Sequence, residues 1–414
     1  MTPSTLAING DRMMRQLQQL AKIGLTETKA CCRLALTDDD KLGRDLVIAW
    51  MKELDMTVTV DPIGNIFGVR AGLQPDLPPV MTGSHIDTVR TGGFYDGNYG
   101  VLAGLEVVAT LNDARQPTQR SLVVGVFTNE EGARFAPDML GSLVYVGGMP
   151  LDEALAIKAI DGAQLGDELE RIGYNGKAPL GANMPHAFIE LHIEQGPILD
   201  IEGIKIGAVE NLQGISWQEL TIVGQSNHAG TTPMYLRHDA GYAASAIATF
   251  VRDLTRKMGG HQVGTVGKID LTPNLINVIA ARAVMTVDLR NTDESLLKQA
   301  EMAFEEFVKE LAQSEGVTIT SRRLARFEPV LFDTALADRI AHHAKALGLS
   351  QRRMTSGAGH DAQMLARVCP TSMIFVPSVG GISHNPAEHT EPEDLIAGAN
   401  VLLATLTELA NQER

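Results

Sequence analysis

Residues 188–194 alternate with a period of two: Ile189, Leu191 and Ile193 fall on one face of an extended strand, and Glu190, His192 and Glu194 on the other. Three ionisable side chains on one face of an apolar strand are expensive unless water, a partner or a metal receives them. Three more short apolar runs, residues 66–69, 79–83 and 121–127, also read as strands. Helical patterns lie between them. Thr37 and the aspartates Asp38, Asp39 and Asp40 precede a run in which Leu42, Leu46, Trp50 and Leu54 recur every four residues. This alternation predicts an α/β sheet covered by helices up to about residue 210.

A different rhythm follows. A strand at 216–223 leads to a helix with Ile247, Phe250, Val251 and Leu254 on one stripe, stopped by Gly259 and Gly260. Strands at 263–269 and 275–289 come next. A second helix carries Leu297, Ala300, Phe304, Phe307, Val308 and Leu311 and ends near Gly316, before a strand at 317–320. The order β-α-β-β-α-β is that of a ferredoxin-like two-layer unit. Charge separates the two regions. Residues 212–329 hold 12 Lys/Arg against 13 Asp/Glu, and the rest of the chain holds 23 against 37. The 414 residues therefore read as one large acidic domain, 1–211 with 330–414, interrupted by a nearly neutral one, 212–329.

The net charge of −15 repels phosphate backbones and anionic lipid, so neither nucleic acid nor a membrane surface is an expected partner. No apolar run approaches the roughly 20 residues of a bilayer span. The first residues lack the basic start, apolar stretch and small-residue cleavage site of a signal peptide, which leads us to expect a cytoplasmic protein. Cys31, Cys32 and Cys369 are too few for a disulfide framework and read as small buried hydrophobes.

Ionisable residues gather at the ends of the apolar runs. His85 follows the run at 79–83, beyond the carboxyl end of a strand, where ligands bind in open α/β sheets. A His two residues before Asp87 suits a metal ligand whose second ring nitrogen is held by a carboxylate, although a loop His beside a solvated Asp fits as well. Asp96, before Gly97, reads alone as a turn residue. The run at 121–127 ends in Glu130 and Glu131, either a solvated pair or one metal ligand beside one proton carrier. His384 stands in a Gly-rich loop. Together His85, Asp96, Glu131, His192 and His384 offer nitrogen and oxygen but no sulfur, a set suited to Zn²⁺, Mn²⁺, Co²⁺ or Ni²⁺. Five ligands exceed the usual three of a catalytic zinc but fit two ions sharing one carboxylate. In the middle region, His228, Asn277 and Arg290 stand out; an Arg after a strand is either a surface ion pair or a fork for a substrate carboxylate. A non-catalytic α/β dinucleotide-binding or metal-binding protein is the alternative of a different class. Gly357-Ala358-Gly359 lacks the third glycine and the preceding apolar strand that a dinucleotide site needs.

The motifs GSHIDT (83–88), GGFYDG (92–97), NEEGARF (129–135), LHIEQG (191–196), NHAGTTPM (227–234), SGAGHDA (356–362) and SHN (383–385) span nearly the whole chain. In them the chain resembles the hydantoinase/carbamoylase amidohydrolases, of the superfamily of two-metal aminoacylases and exopeptidases. The resemblance implies a mixed-sheet catalytic domain with an inserted ferredoxin-like lid that also forms a homodimer interface. It implies two divalent ions per subunit bridged by Asp96, one held by His85 and His192, the other by Glu131 and His384. Glu130 would be the general base and Asp87 would orient His85. His228 would reach the partner subunit's site to polarise the scissile carbonyl. Gln195, Asn277 and Arg290, with Gly357 and Ala358, would hold a small ureido acid. A cis peptide is implied at Asp96–Gly97. His192 stands where related peptidases place a carboxylate, which favours ureido substrates. The implied reaction is hydrolysis of an N-carbamoyl α- or β-amino acid to amino acid, ammonia and carbon dioxide. Allantoate amidohydrolase is the next reading, and a dipeptidase or aminoacylase the third.

Overall fold

The computed structural model describes residues 6–412. The chain divides into two compact units, Met1–Asn211 with Leu331–Arg414, and Leu212–Val330. In chain order the strands are Thr57–Val60 (β1), Ile66–Arg70 (β2), Val80–His85 (β3), Leu122–Phe127 (β4), Ala187–Ile193 (β5), Ile206–Leu212 (β6), Gly214–Val223 (β7), Val263–Thr272 (β8), Arg282–Asn291 (β9), Thr318–Phe327 (β10), Val330–Leu331 (β11), Gln351–Ser356 (β12) and Thr371–Val376 (β13).

The larger unit is built on a nine-stranded mixed sheet, ordered β1-β2-β4-β3-β5-β13-β6-β11, with β12 beside β6. Its centre, β4-β3-β5-β13, is parallel and buried along every residue. Parallel strands covered on both faces read as near-continuous apolar runs, which is why 121–127 stands out in the sequence, while β5 carries Glu190 and His192 among its apolar residues. The helix Asn98–Asp113 packs on β3, β4 and β5 and is buried from Asn98 to Leu111. Because the central strands run the same way, His85, Phe127 and Ile193 end in a row, and the loops that follow them face one another. Close approach of β3 to β4 requires Gly83: a Cβ there would lie 2.1 Å from the Gly125 carbonyl oxygen.

One helical face differs from the sequence expectation. The helix Asp38–Glu53 leaves Leu42 54% exposed and buries Gly43, Val47, Trp50 and Met51 together with Asp40 and Arg44. The polar pair turns inward because Arg44 has buried acceptors, Asp40 Oδ2 (2.8 Å) and the Gly64 carbonyl (2.6 Å).

The smaller unit is an antiparallel sheet ordered β10-β7-β9-β8, with the helices Ala240–Met258 and Glu294–Glu315 packed on it. Phe250 and Phe307 stack between the two helices at 4.0 Å. The strand expected at 275–289 is the narrower β9. Pro273, which has no N–H to donate, and Asn274, at φ 54°, turn the chain into a loop before it. The strand expected at 317–320 extends to Phe327 because it pairs along the whole of β7. Among the described residues no helix is long and apolar enough to cross a membrane. Cys31 and Cys369 are buried, whereas Cys32 is half-buried.

Candidate metal centre

His85 closes β3, and its Nδ1 lies 2.9 Å from the Asp87 carbonyl oxygen. His192, near the end of β5, sets its Nδ1 2.8 Å from the Ile193 carbonyl oxygen. A carbonyl can only accept, so Nδ1 carries the proton in both rings and Nε2 is the atom offered to the site. Asp96 sits one residue before Gly97, whose φ of 63° starts the helix Asn98–Asp113. A Cβ at position 97 would meet three atoms of the His85 ring at 2.4–2.5 Å, so only glycine lets the ring lie here.

Asp96 divides its oxygens. Oδ1 lies 3.2 Å from His192 Nε2 and 3.7 Å from His85 Nε2, while Oδ2 lies 3.2 Å from His384 Nε2. Glu131 Oε2 is 3.3 Å from His384 Nε2, and Glu130 Oε2 is 3.3 Å from His85 Nε2. Ligand atoms of His85, Asp96 and His192 fall within 4.8 Å of one another, as do those of Asp96, Glu131 and His384. His384 is 48% exposed, so the site opens to solvent on its side.

Burial and the neighbouring carboxylates Asp361, Glu131 and Asp96 push the Glu130 carboxyl well above the usual range. Burial, Asp96 and Asp87 do the same to Glu131. Burial pulls His85 down to about 4. At His192 burial also opposes the charged ring, but Asp96 outweighs it and holds the group at about 9. So many buried acidic groups oppose one another's ionisation unless a cation compensates them. The nitrogen and oxygen donors, grouped around one two-sided carboxylate, fit two divalent ions.

The remaining expected residues fall into two sets. In the larger unit, the Asp87 carboxylate accepts the backbone N–H groups of Glu130 (3.2 Å) and Glu131 (3.3 Å), and His85 is held by the Asp87 main chain instead. The side chain is drawn to the two donors of the folded-back loop. Gln195, at φ 58°, donates from Nε2 to Asp96 Oδ2 at 2.9 Å. Gly357 and Ala358 follow β12, where Ser356 Oγ bridges the Ala358 N–H and carbonyl. The Asp96–Gly97 peptide is trans; among the described residues the cis bonds are Ala136–Pro137 and Thr272–Pro273. A non-proline cis bond costs about 2.5–4 kcal/mol, and the positive φ of Gly97 makes the turn without it. In the smaller unit, His228 Nδ1 accepts from the N–H groups of Gly230 (3.0 Å) and Thr231 (3.3 Å), which leaves Nε2–H as an outward donor. Asn277 is exposed, on the loop whose carbonyl accepts the Ala229 N–H. Arg290 pairs with Asp288 at 2.9 Å and lies 5.7 Å from the Trp217 ring.

Sequence reasoning gave no role to four buried neighbours. Glu190 accepts from Ser84 Oγ (2.7 Å) and the Ala362 N–H (2.8 Å). It groups with His192 and His360, while each of its oxygens accepts one of these hydrogen bonds. His360 lies tilted against His192, with ring centroids 4.6 Å apart. Asp361 accepts from Ser142 Oγ at 2.6 Å. Glu388 sits behind Asp96. The alternation at 188–194 marks Glu190, whereas no spacing marks Glu388. Glu194, the third member of that face, caps the helix Ile198–Glu202 through the N–H groups of Ile198 and Leu199.

The model of Peptidase family M20/M25/M40 matches residues 81–408. The chain is 42% identical over 403 residues to an N-carbamoyl-L-amino-acid amidohydrolase of Rhizobium meliloti, covering 97% of each chain. It is 34% identical to a ureidoglycolate hydrolase of Arabidopsis thaliana, over 98% of this chain and 88% of that one. A crystal structure of a hydantoinase/carbamoylase family amidase from Burkholderia multivorans superposes with a TM-score of 0.95 at 45% identity, covering 99% of this chain and 100% of that one.

Proposed function

Because the chain belongs to peptidase family M20/M25/M40, and because Asp96 offers one oxygen to each of two ligand groups, we propose that it is a two-metal hydrolase of N-carbamoyl amino acids. The two-sided placement of Asp96 carries this reading. His85, Asp96 and His192 would hold one ion, and Asp96, Glu131 and His384 the other, with Zn²⁺, Mn²⁺, Co²⁺ or Ni²⁺ matching the donors. When bound, such ions polarise a carbonyl oxygen and lower the pKa of water. Glu130, whose Oε2 lies 3.3 Å from His85 Nε2, would take the proton of the attacking water as a carboxylate and deliver it to the leaving nitrogen. His228 presents Nε2–H to the carbonyl oxygen as charge builds there. Arg290 takes the substrate carboxylate, with Asn277, Gln195 and the Gly357–Ala358 backbone on its polar groups.

His192 in place of a carboxylate favours a ureido acid over a peptide, and the relative at 42% identity supports N-carbamoyl amino acids among ureido acids. Ureidoglycolate is the second reading, supported by the relative at 34%. We also propose a homodimer through the smaller unit, in which His228 serves the partner subunit's site. β8 supports it: the strand is a sheet edge, half-exposed or exposed at all ten residues, and an open edge is a template for a second copy. Ammonia release by Mn²⁺-loaded protein and a chelated control tests the substrate. N-carbamoyl-L-amino acids, N-carbamoyl-β-alanine, ureidoglycolate and allantoate make the panel. Metal-dependent release from the carbamoyl compounds supports the proposal; release from ureidoglycolate or allantoate alone overturns it.

A further inference from the structure

We infer that Glu388 is a positioning residue that draws the Ser383 hydroxyl proton to itself and so keeps a second donor off Asp96 Oδ2, which already accepts from Gln195 Nε2 at 2.9 Å. The inference rests on the two-metal reading. Glu388 is 5% exposed. Its Oε1 accepts the backbone N–H groups of Tyr95 (3.1 Å) and Asp96 (3.2 Å), and its Oε2 accepts from Ser383 Oγ (2.9 Å). One carboxylate therefore ties the loop that carries Asp96 to the loop that carries His384. The first loop packs directly on it, since a Cβ at Gly93 would lie 2.1 Å from Glu388 Oε1.

Ser383 Oγ has a second acceptor within reach, Asp96 Oδ2 at 3.3 Å. A hydroxyl carries one proton, so it serves Glu388 or Asp96 but not both. The shorter contact directs it toward Glu388 and away from Asp96. Asp96 Oδ2 is the oxygen facing His384 and Glu131. A proton parked there would compete with the ion held on that side and spare the His85–His192 side.

Glu388→Gln separates these possibilities. The amide oxygen must stay with the N–H groups of Tyr95 and Asp96, so the amide NH₂ faces Ser383 Oγ and donates to it. The Ser383 proton then turns toward Asp96 Oδ2. Titration of metal-free protein with Mn²⁺ against a competing chelator resolves the two affinities. We expect the Glu131–His384 position to weaken about 10- to 100-fold, the range typical of lost outer-shell partners. The other position should stay within about threefold. Adding Ser383→Ala removes the misdirected proton and should restore affinity to that of Ser383→Ala alone, which itself stays within about threefold of wild type. A general loosening of the loop would not be rescued in this way. Unchanged affinity in Glu388→Gln, equal loss at both positions, no rescue by Ser383→Ala, or a tenfold fall in Ser383→Ala alone each overturns the inference. Failure of the two-metal reading is distinguishable, because wild-type protein would then bind fewer than two ions.

Discussion

Replacing Gly97 with alanine places a methyl carbon 2.4–2.5 Å from three atoms of the His85 ring, where atoms in ordinary contact stand more than 3.4 Å apart. The ring cannot swing aside freely, because it is 1% exposed and its Nδ1 is bonded to the Asp87 carbonyl at 2.9 Å. The backbone adds its own cost, since φ of 63° is left-handed and disfavours a side chain by about 1–2 kcal/mol. Breaking the Nδ1 bond costs about 1 kcal/mol more. We expect metal-free Gly97→Ala to unfold in urea about 2–3 kcal/mol more easily than wild type. The displaced Nε2 should weaken the ion shared by His85, Asp96 and His192 by about 10- to 100-fold. Gly162→Ala is the control: φ is 87° and nothing lies within 4 Å of the added carbon. It should carry the backbone cost and leave both metal affinities unchanged. Wild-type affinity at both positions in Gly97→Ala, with a stability loss no larger than the control's, would refute the argument.

Glu130→Gln should lower kcat at least about 100-fold with KM little changed, because a general base contributes about 10²–10⁴; wild-type turnover in steady-state kinetics contradicts that role. Arg290→Ala should raise KM about 10- to 100-fold, since a charge-assisted hydrogen bond is worth about 1.5–3 kcal/mol, while kcat changes less; an unchanged KM contradicts it. His192, held at about 9 by Asp96, stays protonated below that pH, and the metal must displace this proton. Apparent affinity should therefore rise as pH increases from 7 toward 9, by up to about tenfold per unit for each proton released. Calorimetry in buffers of different ionisation enthalpy counts that proton, and a pH-independent affinity goes against the assignment.

The central strands β3, β4 and β5 are legible in the sequence as short, mostly apolar runs, while β13 is not marked there, and the ferredoxin-like order is legible because its helices keep one stripe each. The grouping of His85, Asp96, Glu131, His192 and His384 can be read because each follows an apolar strand, lies on one, or sits beside glycines. What cannot be read is which atom does the holding. Asp87 stands two residues after His85, a spacing that suggests a carboxylate on the ring, yet its side chain takes the two N–H groups of the Glu130 loop. Glu388 acts on the Asp96 loop about 290 residues away in sequence and no local pattern marks it, whereas the alternation at 188–194 marks Glu190 but not its partner, the Ala362 N–H, 172 residues on. Leu42 misleads for a related reason: the buried pair Asp40–Arg44 turns the helix, and a leucine stripe carries no trace of that pairing.

The account turns on one carboxylate joining two ion positions. Elemental analysis of wild type and Asp96→Asn, after identical loading with Mn²⁺ and desalting, tests this directly. Two ions per wild-type chain and loss of both in Asp96→Asn is the result expected. A single ion in wild type, or an Asp96→Asn protein that retains one of two at full affinity, would contradict it.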